Sequence, residues 1–477
     1  MLRAACVFAI FIACPLFGAA IGSSSTTSLP KLTGPIPVSA DSYPFMAANR
    51  LLEPVDLKKA GYVEEEFIVS GTANVYDWAA DGSLTVKTPN APYTTRILVR
   101  RPANPARFSG QAVVELLNSA RRFDWAMMSG YLRETLMERG DAWVGVTMPG
   151  GFATLAKFNK ARYESVTGFP NPDAAETCPA ASPQEEGLRW DMLSQVAAAL
   201  KSDTGLKATH VYMAAQGGDV VTYLRAIEPH ATLGNGKPPY DGFLLKGPAN
   251  AGRIRRCAAA PPQGDARLGI RNSSVPVIQV VAQGEAAEDY RRPDSDAPND
   301  RYRLYEVASA THIEKWAYRE LPIMADQLAA LGTPGQGTPE WPFSVRCDTE
   351  ILLQDYPVLK YIFDGAIVNL EGWSTKGVPP PRADRIALSG MYDQFGIGTG
   401  GVRSSYTDVP AAIYSTMTPG PGTCRELGRT VPLDWGRLEA LYGSHAKYAA
   451  KVSQAVDRMV KDRWITESDA QRIKAAE

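Results

Sequence analysis

Apolar and polar positions divide most of this chain into two alternating kinds of segment. Short apolar, β-branched runs at 66–70, 95–100, 112–117, 142–147, 210–214, 242–245, 277–281 and 303–307 predict strands. The central ones are apolar throughout, as strands buried on both faces are. Between them, apolar residues recur at helical spacing. "GLRWDMLSQVAAALKS" places Leu188, Met192, Leu193, Val196 and Leu200 on one stripe, and "DVVTYLRAI" does so with Val220, Leu224 and Ile227. Each helix has a face for a sheet, so the alternation predicts an α/β fold with a mostly parallel sheet covered on both faces.

Two regions break the alternation. Residues 149–187 have little periodicity, are rich in Pro, Ala and Asn, and contain Cys178, which predicts a lid-like insertion or pocket wall. Beyond Trp316 no further strands are expected. There, 316–477 read as a helical and proline-rich extension packed on the core, ending in "HAKYAAKVSQAVDRMVKDRW" and "TESDAQRIKAAE", with Thr466 and Asp469 spaced as a helix cap.

The N-terminus has its own pattern. Arg3 precedes an apolar run from Ala4 to Phe17 and then small residues, which predicts a cleaved signal peptide over 1–22 and a secreted or periplasmic protein. The run is too short for a bilayer span, and lipoprotein anchoring at Cys14 is the lesser alternative. Residues 23–41 read as a flexible leader, leaving 42–477 as one domain. With 45% apolar residues and 50 basic against 51 acidic side chains, the chain is globular and carries no cationic run suited to nucleic acid. Removal of Cys6 and Cys14 leaves four cysteines. In an exported chain these predict two disulfides, expected as Cys178 with Cys257 and Cys347 with Cys424; the spacings do not suit a metal site.

Candidate chemistry lies in "THVYMAAQGGDVVTYLRAI", a buried strand, an abrupt turn and a helix. That context suits the Gly-x-Ser-x-Gly turn that exposes a nucleophile, but Met213 and Ala215 stand where glycine and serine would be. Downstream, two further strands deliver Glu285 and His312 just past their ends, in the order expected of a triad acid and base. Glu288 and Asp289 compete with Glu285 for the acid's role, while His210, His230 and His445 read as structural or solvated. Phe152, Phe158, Tyr163, Phe169 and Tyr290 suit either a pocket lining or ordinary packing, and "GGVRSSYTDVP" from Gly400 suits either a site-facing loop or a structural turn.

The stretches "VVELLN", "WVGVTMPG", "GLRWDMLSQV", "AAQGGDVVTYLRAI", "DGFLLKGPAN", "RRPDSD", "YEVASATH" and "GGVRSSYTDVP" span most of the mature chain. They resemble a secreted bacterial and fungal family of α/β-hydrolase domain-containing proteins, whose elbow reads Gly-x-Ser-Gln-Ser/Thr-Gly. The resemblance implies the α/β-hydrolase fold, with the serine's position at Ala215, the acid at Glu285 and the base at His312. It also implies an oxyanion hole from the N–H of Gln216 and from Asn118 or Ser119.

A serine-hydrolase scaffold for a small carboxylic ester or lactone follows, without metal or organic cofactor. Since alanine offers no hydroxyl, loss of turnover by about a millionfold is expected for the covalent route. Three readings stay open. The chain is an inactivated form of an esterase, a lyase or isomerase that uses His312 as a general base without a covalent step, or a ligand-binding pseudoenzyme.

Overall fold

The computed structural model describes residues 25–178, 182–331, 345–354, 356–390 and 392–476. The expected signal peptide over 1–22 lies outside them. One sheet of ten strands organises the molecule. In chain order these are β1 (Lys31–Thr33), β2 (Tyr62–Trp78), β3 (Leu84–Pro102), β4 (Gln111–Leu116), β5 (Ala142–Val146), β6 (His210–Gln216), β7 (Gly242–Lys246), β8 (Val277–Ala282), β9 (Ser295–Ala297) and β10 (Asp300–Val307). Their spatial order is β9-β10-β8-β7-β6-β4-β5-β3-β2-β1. From β10 across to β5 every neighbouring pair is parallel; β3, β2 and β1 add antiparallel strands at one edge and β9 at the other.

Helices cover both faces because each strand alternates its side chains between them. In β6, Tyr212 and Ala214 join the core that includes the helices α1 (Met127–Arg139) and α4 (Val358–Lys376). Val211, Met213 and Ala215 join the opposite core, with the helices α2 (Arg189–Lys201) and α3 (Gly218–Ala226). Both stripes read from the sequence are buried as expected: Leu188, Met192, Leu193, Val196 and Leu200, and Val220, Leu224 and Ile227.

Three expectations are corrected. Residues 25–41 are not a loose leader with order starting at Ser42: Ser25–Thr26 pairs with Ala231–Thr232, and Lys31–Thr33 adds an edge strand to β2. Main-chain bonds to an open edge need no apolar side-chain pattern, so the pairing left little trace in the sequence. Secondly, β2 and β3 run far beyond the apolar runs at 66–70 and 95–100, because their outer parts are only half buried and carry polar residues. Thirdly, the C-terminal extension contains an antiparallel pair, Ala412–Ser415 with Arg429–Pro432, where only helices and loops were expected. Of the two readings left open for "GGVRSSYTDVP", the structural one holds: Val402 bridges to Val307 in parallel, and the Ala308 N–H donates to the Val402 carbonyl at 3.0 Å.

Residues 149–178 and 182–187 of the expected insertion are packed in place. Phe152, Tyr163 and Phe169 are buried, and Phe152 meets Phe169 edge to face at 5.2 Å. The disulfide Cys178–Cys257 ties this segment to the loops beyond β7, and Cys347–Cys424 closes the second bridge, so both expected pairings are present. No helix among the described residues is long and apolar enough to cross a membrane.

Candidate active site

The site forms at the C-terminal edge of the parallel strands, where β4, β6, β7, β8 and β10 end side by side. Asn118 follows β4 by two residues, and a bridge to Trp125 closes its loop. Glu115, one residue before the end of β4, fixes that loop's far side. Its carboxyl accepts from the Met128 and Ser129 N–H groups at 2.7 and 2.8 Å and from Trp143 Nε1 at 2.8 Å, so it caps α1 from within the sheet. Burial nevertheless pushes it up to about 8.

Glu285 ends a short turn after β8, and His312 follows β10 by five residues. His312 Nδ1 lies 2.5 Å from Glu285 Oε1. Glu285 Oε2 also accepts from the Ala282 N–H at 3.3 Å. Burial opposes its charge, but Lys246, the imidazole bond and the Ala282 N–H together hold its carboxyl below the usual glutamate range. Glu288 instead pairs with Arg291 at 2.7 Å and is largely exposed. With Nδ1 held by a carboxylate, Nε2 is the nitrogen left for proton transfer.

What faces Nε2 is Gln216. Its Nε2 lies 3.2 Å from His312 Nε2, and its Oε1 accepts from Asn118 Nδ2 at 3.1 Å. Glu285, His312, Gln216 and Asn118 thus form one hydrogen-bonded chain across four strand ends. Ser119 does not join it; its carbonyl accepts from the Arg122 N–H at 2.8 Å and its side chain faces Gly150.

Ala215 is not brought to the imidazole. It lies inside β6, in register with Leu245, 1% exposed, with its methyl in the core on the face opposite Gln216. The abrupt step between strand and helix falls two residues later. Gly217 has φ 97° and ψ −174°, in the region that only glycine enters at low cost, and α3 begins at Gly218. In hydrolase elbows the nucleophile occupies that strained strand-to-helix position. A Cβ at Gly217 would meet nothing within 4 Å, so the space a nucleophile's side chain would take is open. At Gly218 a Cβ would come within 2.4 Å of the Asn250 carbonyl, so the start of α3 requires glycine for a close approach of main chains. The reason the sequence misplaces the turn is that "AAQGG" offers two equal frames, and only backbone pairing distinguishes them.

Sequence reasoning also passed over Lys246. It ends the apolar strand β7, is 1% exposed, and donates from Nζ to the His312 carbonyl at 2.7 Å. A single lysine closing an otherwise apolar strand was the available signal, since lysine is almost never fully buried without a partner.

A family model described as alpha/beta hydrolase domain matches residues 32–475. No curated protein matches the chain. Among solved structures it is similar to esterase Est22, at 12% identity, a TM-score of 0.27, and coverage of 48% of this chain and 67% of that one. A glucuronoyl esterase from Solibacter usitatus is 9% identical, with a TM-score of 0.28 over 48% of this chain and 66% of its own. A prolyl endopeptidase is also similar, at 9% identity and a TM-score of 0.27, over 52% of this chain and 35% of its own. With the family model covering nearly the whole length, from the first edge strand to the last helix, the chain belongs to the alpha/beta hydrolase domain family.

Proposed function

We propose that this protein hydrolyses a small carboxylic ester or lactone by a non-covalent route, with His312 activating water and Glu285 orienting and stabilising the imidazole. The observation that carries the reading is the His312–Glu285 pair, at 2.5 Å, beside an elbow whose nucleophile position is the side-chain-free Gly217. A hydrolase that lacks a hydroxyl there has room for a water molecule instead.

In this route water takes the place of the Gln216 amide at His312 Nε2. As its oxygen forms a bond to the substrate's carbonyl carbon, its proton passes to Nε2. The carbonyl oxygen then carries the negative charge, which this reading assigns to the first main-chain N–H past the turn, that of Gly218 at the start of α3. Collapse breaks the bond to the alcohol oxygen, which takes the proton back from Nε2. Acid and alcohol leave, and no ester to the protein forms at any stage. This reading moves the oxyanion donor two residues past Gln216 and leaves Asn118 to hold the Gln216 carboxamide.

The amide of Gln216 on Nε2 favours a second reading, a pocket that binds a carbonyl ligand and does not turn it over. One experiment separates the two. The purified protein is incubated with a panel of short-chain aryl esters and lactones, and product release and intact protein mass are followed together. Steady release without a mass increase supports water-mediated hydrolysis. A transient acyl adduct overturns the non-covalent route, and saturable binding without release supports the second reading.

A further inference from the structure

Resting on that reading of the site, one buried group remains that hydrolysis by His312 and Glu285 does not itself use. We infer that Lys246 is a positioning residue for this pair: its buried amino group fixes the main chain of His312 and supplies the positive charge that keeps Glu285 ionised.

The geometry carries both halves. Lys246 is the last residue of β7, between β6, which brings Gln216, and β8, which leads to Glu285. From there Nζ donates to the His312 carbonyl at 2.7 Å, tying the loop after β10 to a strand two places away. Gly247, the next residue, lies so close to Glu285 that a Cβ there would be 3.1 Å from Oε1, so the lysine's neighbour is shaped to admit the carboxylate. The charged groups around the lysine are acidic. Glu285 comes from the turn after β8, Glu314 from the loop after β10, and Glu426 from the C-terminal extension, whose carbonyl also accepts from the Ile313 N–H at 3.1 Å. On α1, Tyr131 is buried near Glu314 and Glu285 and stays neutral, since burial raises it well above the usual tyrosine range. Burial works against the lysine's charge and pulls it below the usual lysine range, while the three carboxylates favour it. Burial pushes Glu314 up to about 8, so near neutral pH it is largely uncharged and Glu285 is the carboxylate Lys246 chiefly balances. The hydrogen bond to a carbonyl, rather than to any carboxylate, leaves that charge to act through space on the acid while holding the base in position.

The test follows the side-chain carboxyl carbons by carbon-13 NMR as pH is varied, with Glu285 assigned by the signal lost in Glu285→Gln. In Lys246→Met the Glu285 titration moves up by roughly one pH unit, the change expected when the buried positive charge that favours its ionised form is removed. Lys246→Arg, which keeps the charge, restores it toward the wild-type value. An unchanged titration in folded Lys246→Met overturns the inference. If Lys246→Met does not fold, Lys246→Met/Glu285→Gln carries the test. Recovery of a folded protein when both charges are removed supports charge balance, and failure to recover while Lys246→Arg folds overturns it. The carboxyl titration needs no turnover, so a protein that hydrolyses nothing yet shows the shift refutes the proposed function and leaves this inference standing.

Discussion

At the scale of single residues, the chemistry depends on which side chain the turn presents. Strand alternation puts Gln216 and Ala215 on opposite faces, and the imidazole meets only the first. Substituting the two candidate positions therefore gives different results. Gly217→Ser places a hydroxyl in open space at a strained backbone position, at a cost of about 1–3 kcal/mol. It is expected to gain covalent labelling by a serine-directed phosphonate. Ala215→Ser buries an unpaired hydroxyl in the core, which costs about 1–3 kcal/mol and gives no labelling. Intact mass after phosphonate treatment reads the first effect and thermal melting the second. Labelling of Ala215→Ser but not Gly217→Ser would restore the frame inferred from sequence.

At the scale of elements, the last strand is what carries His312 to the site, and it is held by a buried network. Glu306 of β10 is fully buried and accepts from Arg291 Nε and Nη2 at 2.7 and 2.6 Å, from the Tyr290 hydroxyl at 3.0 Å and from the Ile386 N–H at 2.7 Å. Arg291 also donates to the Ile386 carbonyl at 2.6 Å, so the "RRPDSD" stretch joins the C-terminal extension to the sheet. Arg291→Ala leaves that carboxylate buried without its cation, and a loss of about 3–5 kcal/mol is expected in denaturant unfolding. A change below about 1 kcal/mol would show that β10 does not depend on the network. The parallel strands were legible because burial on both faces makes their sequences apolar throughout; Val277–Ala282 is an example. Edge strands such as Lys31–Thr33 and the Arg429–Pro432 hairpin strand were not, since main-chain pairing and partial exposure leave a mixed pattern. Glu285 and His312 were legible from their positions after strands. Lys246 and the frame at Gly217 depend on neighbours distant in sequence.

For the whole molecule, buried acids shape the response to pH. Burial pushes Glu314 up to about 8, against an ordinary value of 4.5, so the folded chain keeps a proton that the unfolded chain releases. Its contribution to stability is complete below about pH 4.5 and is lost as pH rises through about 8. Glu314→Gln should flatten the fall in melting temperature between those limits, by an amount corresponding to on the order of 5 kcal/mol. An identical slope in the variant, by scanning calorimetry, would contradict this. The same sheet edge that confines Glu314 also gathers Asn118, Gln216, Lys246, Glu285 and His312 from five strand ends, and hydrolysis by His312 is the central claim made for that gathering. The most direct measurement is kcat/KM for a short-chain aryl ester in the wild-type protein and in His312→Ala. A fall of about 10²–10⁴-fold, with no initial burst in the wild type, is the predicted result. Equal rates in the two proteins would contradict it.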